Sequence, residues 1–514
     1  MARQKSALRE RLSDWHLRRV PFPAVPFVNP FGADPVSNGS VFAASLREEE
    51  LDRIRVDILR GGNADLVQPW GWIWGYRHRG RSLGMGKTAL LTHITDQINT
   101  DFGRPFFGYN TNWLAVYVPV YPGMHSTAEL AAAALASMCS EQRGMSIAQL
   151  MLGKLRHSVI TLGLLGAGAR GLRAASPLRL AKDKWVTEQG IDLAVLSQAV
   201  ENYLIGNEVT PAVARAMATG MFGKYLADLG HNSDLLPLAG GLVIRALSLL
   251  LNDVARIAHL AGIRKMTFLV DDFYKLIFHA TVAQKKQLAI EMRALAVDGS
   301  YFAINHKLFN WIAVIHNYYA SAFNSYWEAE RMNQVAKLYF GGLDRDEGAK
   351  VDLRAIPLGR GPTLLEAYLS YDRPRSAPSS IYPFTDDGLS MITQIAGEQV
   401  GNGGYDPGSL LRYAWRVTCE ALVHVPNPAP IGADFVEYVL RGKPLSEPRI
   451  AADDDDEPDR EELVQGIACP CSCHTDDDLP APNDAMAHKA GSSGTIINYR
   501  CAACNAPISL GGAA

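Results

Sequence analysis

The chain has 514 residues, 48% of them apolar and 20% charged, with a formal net charge of −3. This excludes a disordered or fibrous protein and leaves a globular one with a large core, of about three to four domains at roughly 100–200 residues each. The small net charge conceals an asymmetry. Residues 453–478 carry 11 acidic side chains and one basic one, a net of −10, which leaves +7 on the rest. A mildly basic body is thus joined to one strongly acidic late segment.

Residues 1–40 contain proline and arginine and read as an irregular extension. The charged start, MARQKSALRERLSDWHLRR, has no apolar h-region, so no signal peptide is expected. A helix is expected next, with Ser45 as N-cap and Glu48, Glu49 and Glu50 in the first turn. Leu51, Ile54, Ile58 and Leu59 give it an apolar stripe. The run Trp70–Gly75 is strand-like, leads into the basic, glycine-rich loop YRHRGRSLGMGKT, and is followed by a helix. Trp113–Tyr121 is a second apolar strand, of the kind that a parallel sheet buries on both faces.

Residues 125–262 read as a helical insertion. Within them, His157–Ala169 spans 13 residues between arginines, short of the about 20 that a bilayer needs. Leu235–Ile263 is interrupted by Arg245, Asp253 and Arg256. Both are expected to be buried, with no membrane span. Further strands are expected at Met266–Val270, Trp311–Ile315 and Val351–Ile356, so the fold class is α/β with a parallel sheet. Residues 361–445 turn helical, with Thr385 as a cap and Asp406-Pro407 as a cap followed by proline at N1. Residues 446–467 form an acidic linker, and 468–514 a small cysteine-rich end.

Two motifs carry chemistry. Gly84, Met85, Gly86, Lys87, Thr88 and Ala89 lie between a strand and a helix, as a phosphate-binding loop requires. Glycines let backbone N–H groups curl round phosphate, and the helix N-terminus adds its positive dipole end. Lys87 would reach the β- and γ-phosphates and the Thr88 hydroxyl would ligate Mg²⁺. The usual first glycine of the pattern is Arg81 here, which an insertion of Tyr76–Arg81 explains; a chance GKT in a glycine-rich turn is the competing reading. The second motif is Asp271-Asp272 at the end of an apolar strand, where two carboxylates are costly unless they work at the sheet edge. Asp271 would hold Mg²⁺ through water, and Asp272 would polarise the attacking water. A helix cap after the strand would need only one of them.

The order of these pieces resembles the AAA+ superfamily, in particular its initiator (origin-recognition) branch, and the neighbouring STAND signalling ATPases. SLREEELDRI is similar to the helix before the nucleotide site, GMGKT to Walker A and MTFLVDD to Walker B. The resemblance covers roughly residues 40–430 and implies a core at 41–360, with the insertion at 125–262 and a helical lid at 361–445. It implies that Asn317, after the fourth strand, senses γ-phosphate. It implies an arginine finger, for which Arg345 and Arg331 qualify, and a lid arginine where this chain has Gly408; Arg412 lies one turn later. KAP-type ATPases carry insertions at the same place and paired aspartates. The resemblance also implies ATP-dependent homo-oligomer assembly on DNA or with a partner protein, in a setting such as phage defence or a mobile element.

Of seven cysteines, five fall within residues 469–504, which suits a reducing, cytoplasmic setting and a metal site better than disulfides. Cys501 and Cys504 form a CxxC knuckle. Cys469, Cys471, Cys473 and His474 offer the other two ligands of a zinc ribbon, in a choice that spacing leaves open. Besides the ATPase, two rival functions fit: a signalling switch with slow turnover, and a DNA-binding platform built on Arg18, Arg19, Arg77, Arg79 and Arg81.

Overall fold

The structure is a computed structural model. It describes residues 10–26, 28–75, 84–141, 144–231, 241–278, 280–295, 308–334, 350–371, 373, 377–400, 404–425 and 429–442, and the strand backbones at 463–465, 486–493, 496–501 and 507–509. The chain divides into a larger unit that ends at residue 443 and a smaller one beyond it.

The larger unit is built on five strands, β1 (Trp70–Gly75), β2 (Trp113–Pro119), β3 (Lys265–Asp271), β4 (Phe309–His316) and β5 (Lys350–Leu353). All their pairings are parallel, in the order β2-β3-β4-β1-β5. A two-residue antiparallel pair, β6 (Ile356–Pro357) and β7 (Gly404–Tyr405), lies outside that sheet. The helices that bear on the site and the cores include α1 (Glu48–Arg53), α2 (Lys87–Asn99), α3 (Thr127–Cys139), α4 (Ile147–Thr161), α5 (Leu193–Ile205), α6 (Gly241–Leu260), α7 (Asn317–Ala329), α8 (Gly361–Tyr371), α9 (Asp386–Val400), α10 (Pro407–His424) and α11 (Ala433–Arg441).

Side chains alternate across a strand, and in β1 the alternation separates bulky residues from small ones. Trp70, Trp72 and Trp74 point to one face, where they join Trp311, Phe268 and Trp327 in a buried aromatic layer. Ile73 points to the other face, towards α2. Gly71 and Gly75 share that second face and leave room for neighbours. A Cβ on Gly71 would lie 2.7 Å from Ile58 Cγ2, and one on Gly75 would lie 3.1 Å from Lys87 Nζ. The WGWIWG run therefore encodes one crowded face and one open to close approach.

Helices α3 to α6 fall within the expected insertion. Capping boxes start α3 (Ser126 with Glu129) and α4 (Ser146 with Gln149). Their buried residues belong to the same hydrophobic cluster as the tryptophan face of the sheet, so insertion and sheet share one core. Among the described residues, no helix is long and apolar enough to cross a membrane.

A second cluster joins helices α8 to α11, where a lid is expected, to the N-terminal stretch. Trp15 is fully buried there and Phe22 is 2% exposed. Thr385 caps α9 by accepting a hydrogen bond from the Gly388 N–H, and Asp406 caps α10 by accepting one from the Ser409 N–H at 2.7 Å. The expectation for Ser45 is corrected. Ser45 lies inside a short 3-10 turn, Ala44–Leu46, and α1 begins at Glu48 after Arg47, without a side-chain cap. The stripe below it is as expected, with Ile54, Ile58 and Leu59 all fully buried.

The smaller unit contains β8 (Leu463–Gln465), β9 (Met486–Ser493), β10 (Ile496–Cys501) and β11 (Pro507–Ser509). They pair antiparallel in the order β11-β10-β9-β8, with a register shift at Asn498/Tyr499.

Candidate nucleotide site

The strand order locates the site. From β1 the chain passes β4 and β3 to reach the β2 edge, whereas from β4 it passes β1 to reach β5 at the other edge. Connections that leave adjacent strands in opposite directions open a crevice at their carboxyl ends, where open α/β sheets bind ligands. The glycine loop comes after β1 at that crevice.

Gly84 and Gly86 both have positive φ, +88° and +79°, a region that glycine enters without steric cost. Helix α2 starts directly after them at Lys87. The Lys87 side chain folds over Gly75, the end of β1, and the residue is only 8% exposed. Burial pushes its ammonium below the ordinary lysine range, against the pull of Asp271 and Asp272. The Thr88 hydroxyl, one residue on, donates to Asp271 Oδ2 at 2.6 Å. The two motifs thus meet, 183 residues apart in the chain.

Asp271 closes β3 and is 4% exposed. Its Oδ2 accepts a second bond, from the Tyr117 hydroxyl at 2.9 Å, and its Oδ1 accepts the Asp272 N–H at 2.9 Å. Burial lifts its pKa above the usual carboxylate range, as does Asp272, while Thr88, Tyr117 and Lys87 oppose the shift. A buried lysine and a buried carboxylate that are both pushed towards neutrality suit a ligand that brings an anion to one and a cation to the other. Thr88 and Asp271 offer hard oxygen donors side by side, the set that magnesium takes when phosphate supplies the rest.

Asp272 sits differently. Its backbone is left-handed, with φ +51°, and its carboxylate pairs with Lys275 Nζ at 2.8 Å. Asn317 opens α7 immediately after β4, whose last residue, His316, is paired in register with Gly75. Ala89 lies in the first turn of α2. Arg345 lies outside the described residues. Arg331 is exposed beyond the far end of α7; a helix of 13 residues is about 20 Å long, so it is remote from its own chain's loop. Of the expected zinc ligands, Cys501 ends β10, and Cys469, Cys471, Cys473, His474 and Cys504 lie outside the described residues. Among the described residues no cluster of three or more His, Cys, Asp and Glu is arranged to hold a metal ion.

Three contacts were not legible in the motifs. The first is Arg47, 5% exposed, whose guanidinium donates to the Met85 carbonyl at 3.0 Å and the Arg354 carbonyl at 2.7 Å and pairs with Glu50 at 2.7 Å. It ties the loop to the chain after β5. The second is Gly408, at the start of α10, which donates its N–H to the Gly84 carbonyl at 2.9 Å. A Cβ on Gly408 would stand 2.8 Å from Gly84 Cα. The place where the resemblance implies an arginine is therefore a backbone-to-backbone contact with no space for a side chain. Arg412, one turn later in α10, is exposed. The third is Tyr117. Its only signal was a phenol within an apolar strand, since a buried tyrosine hydroxyl usually finds a partner.

No protein-family model matches the chain, and no curated protein does. Among solved structures, the Aeropyrum pernix ORC2 protein in ADPNP and ADP complexes is similar to it at 13% identity, covering 83% of this chain and 71% of that one. The TM-score is 0.38. At that level of likeness the functional reading rests on the site's own geometry.

Proposed function

We propose that the chain is a magnesium-dependent, ATP-binding P-loop ATPase. The observation that carries this is the 2.6 Å contact between Thr88 Oγ1 and Asp271 Oδ2 beneath a glycine loop at the sheet's switch point. In this reading Lys87 and the loop N–H groups hold the β- and γ-phosphates, and Thr88 and Asp271 hold the metal. Asp272 acts on the attacking water, and Asn317 senses the γ-phosphate. Magnesium, when bound, would offset the phosphate charge. The finer reading is an AAA+ ATPase of the initiator or STAND type whose nucleotide state governs assembly of a homo-oligomer with DNA or a partner protein. One experiment tests both levels: ATP binding, phosphate release and particle mass, for the wild type and for Lys87→Ala. Binding and release that are lost in the variant support the ATPase. Wild-type protein that binds no ATP would sink it, and a mass indifferent to ATP would sink the assembly reading alone.

A second reading, the slow switch, is favoured by the Asp272–Lys275 ion pair, which occupies the carboxylate that would polarise water. In that form the protein binds ATP and turns it over slowly. The cysteine-rich end belongs to the proposal as a zinc ribbon drawing four ligands from Cys469, Cys471, Cys473, His474, Cys501 and Cys504.

A further inference from the structure

The nucleotide reading leaves unused a buried polar group that touches Asp271. Tyr117 lies in the middle of β2 and is 4% exposed. Its register partner in β3 is Leu269. Asp271 is two residues further on, on the same face, about 6.6 Å along the strand, which is within reach of a tyrosine side chain. The hydroxyl spans that distance and donates to Asp271 Oδ2 at 2.9 Å. The same oxygen takes the Thr88 hydroxyl at 2.6 Å, and Oδ1 takes the Asp272 N–H at 2.9 Å. A carboxylate has about four lone-pair sites, so three are committed to donors from β2, the loop helix and its own chain. The uncommitted one is on Oδ1.

We propose that Tyr117 is a positioning residue for the metal site: by holding Asp271 Oδ2 from the β2 side, it sets the orientation in which the carboxylate would meet a cation held with Thr88. The proposal rests on the nucleotide reading above. The Tyr117 hydroxyl is engaged by the Asp271 carboxylate, so its effect is expected on magnesium rather than on nucleotide binding as such. Partners that orient a ligating carboxylate characteristically change metal affinity about 10–100-fold when removed. Phe31, from the N-terminal stretch, meets the Tyr117 ring edge-on at 5.9 Å and helps to hold its angle.

The test is Tyr117→Phe in the full chain. Two donors to Asp271 remain, so no buried acceptor is orphaned and the ring still packs. Binding of a fluorescent N-methylanthraniloyl ATP is measured over a magnesium titration and again in EDTA. The expected result is a rise of about tenfold or more in the magnesium concentration at half effect, with the EDTA affinity unchanged. The same substitution on an Asp271→Asn background is expected to add nothing, because the effect passes through that carboxylate. An unchanged or lower magnesium requirement, or losses that add in the double variant, would overturn the role of Tyr117 while leaving the nucleotide reading standing. Failure of the wild type to bind the probe at any magnesium concentration would instead remove the nucleotide reading itself.

Discussion

In the proposed ATPase, Lys275 is the side chain placed to slow the reaction, through its ion pair with Asp272. It stands three residues after Asp272, and the two groups are 28% and 33% exposed, so the pair is half in solvent and its energy is modest. Its kinetic weight is larger, because a carboxylate engaged by an ammonium is a poor acceptor for a water proton. A well-placed general base contributes about 10²- to 10⁴-fold, and releasing one from a half-exposed pair should recover part of that. Lys275→Ala is therefore expected to raise steady-state phosphate release on the order of tenfold while leaving ATP affinity within about a factor of two. Unchanged or slower release would mean that the pair is no brake. The carboxylate pair was legible because two acids after an apolar run conflict with burial. The lysine was not, since an i,i+3 neighbour in a turn resembles any surface charge. Arg47 was hidden for the same reason: five charged residues within Arg47–Asp52 look like a solvated helix start, yet the first of them is buried against carbonyls from two distant loops.

At the scale of elements, the contact between the glycine loop and the start of α10 sets how closely that helix, in the proposed lid, can approach the loop. Gly84 and Gly408 meet through backbone atoms, which cannot give way as a flexible side chain can. Gly408→Ala is expected to push α10 off the loop and break the Gly408 N–H to Gly84 carbonyl bond. Hydrogen exchange over 84–90 and 406–412 should then rise by about tenfold or more, a local opening easier by roughly 1.4 kcal/mol. Protection equal to wild type would show that the lid is held elsewhere. The strands themselves were readable in advance, because a parallel sheet covered on both faces needs unbroken apolar runs. The caps at Thr385 and Asp406 were readable because a side-chain oxygen before a helix satisfies its free N–H groups. Ser45 misled on the same rule, since a 3-10 turn consumed it before α1 began. What periodicity could not reveal was partnership. Composition showed that residues 125–262 are helical, but not that α3 to α6 and the tryptophan face of the sheet form one core.

For the whole molecule, the two units carry different sources of order. The larger has extensive apolar cores that also enclose the N-terminal stretch, where a short helix at residues 10–14, in place of the irregular extension expected, brings Leu12 and Trp15 into the core. The smaller has short antiparallel strands, and as the proposed zinc ribbon it would fold only with its metal. Metal analysis of the purified full chain is accordingly expected to find one zinc per chain, and removing it should abolish the smaller unit's ordered fold without altering ATP binding by the larger. Purified chain that is folded throughout and contains no zinc would refute the ribbon. The aromatic layer on the sheet has an optical consequence. Trp70 lies 5.4 Å from Trp72, 6.2 Å from Trp311 and 5.7 Å from Trp327, and Trp72 lies 5.2 Å from Trp327. Indoles that close couple their electronic transitions, and fixed rings give near-ultraviolet circular dichroism that fluid packing loses. The junction of β1, β4 and α7 is therefore a built-in chromophore, whose signal tracks the integrity of the sheet at wavelengths where the surrounding helices are silent.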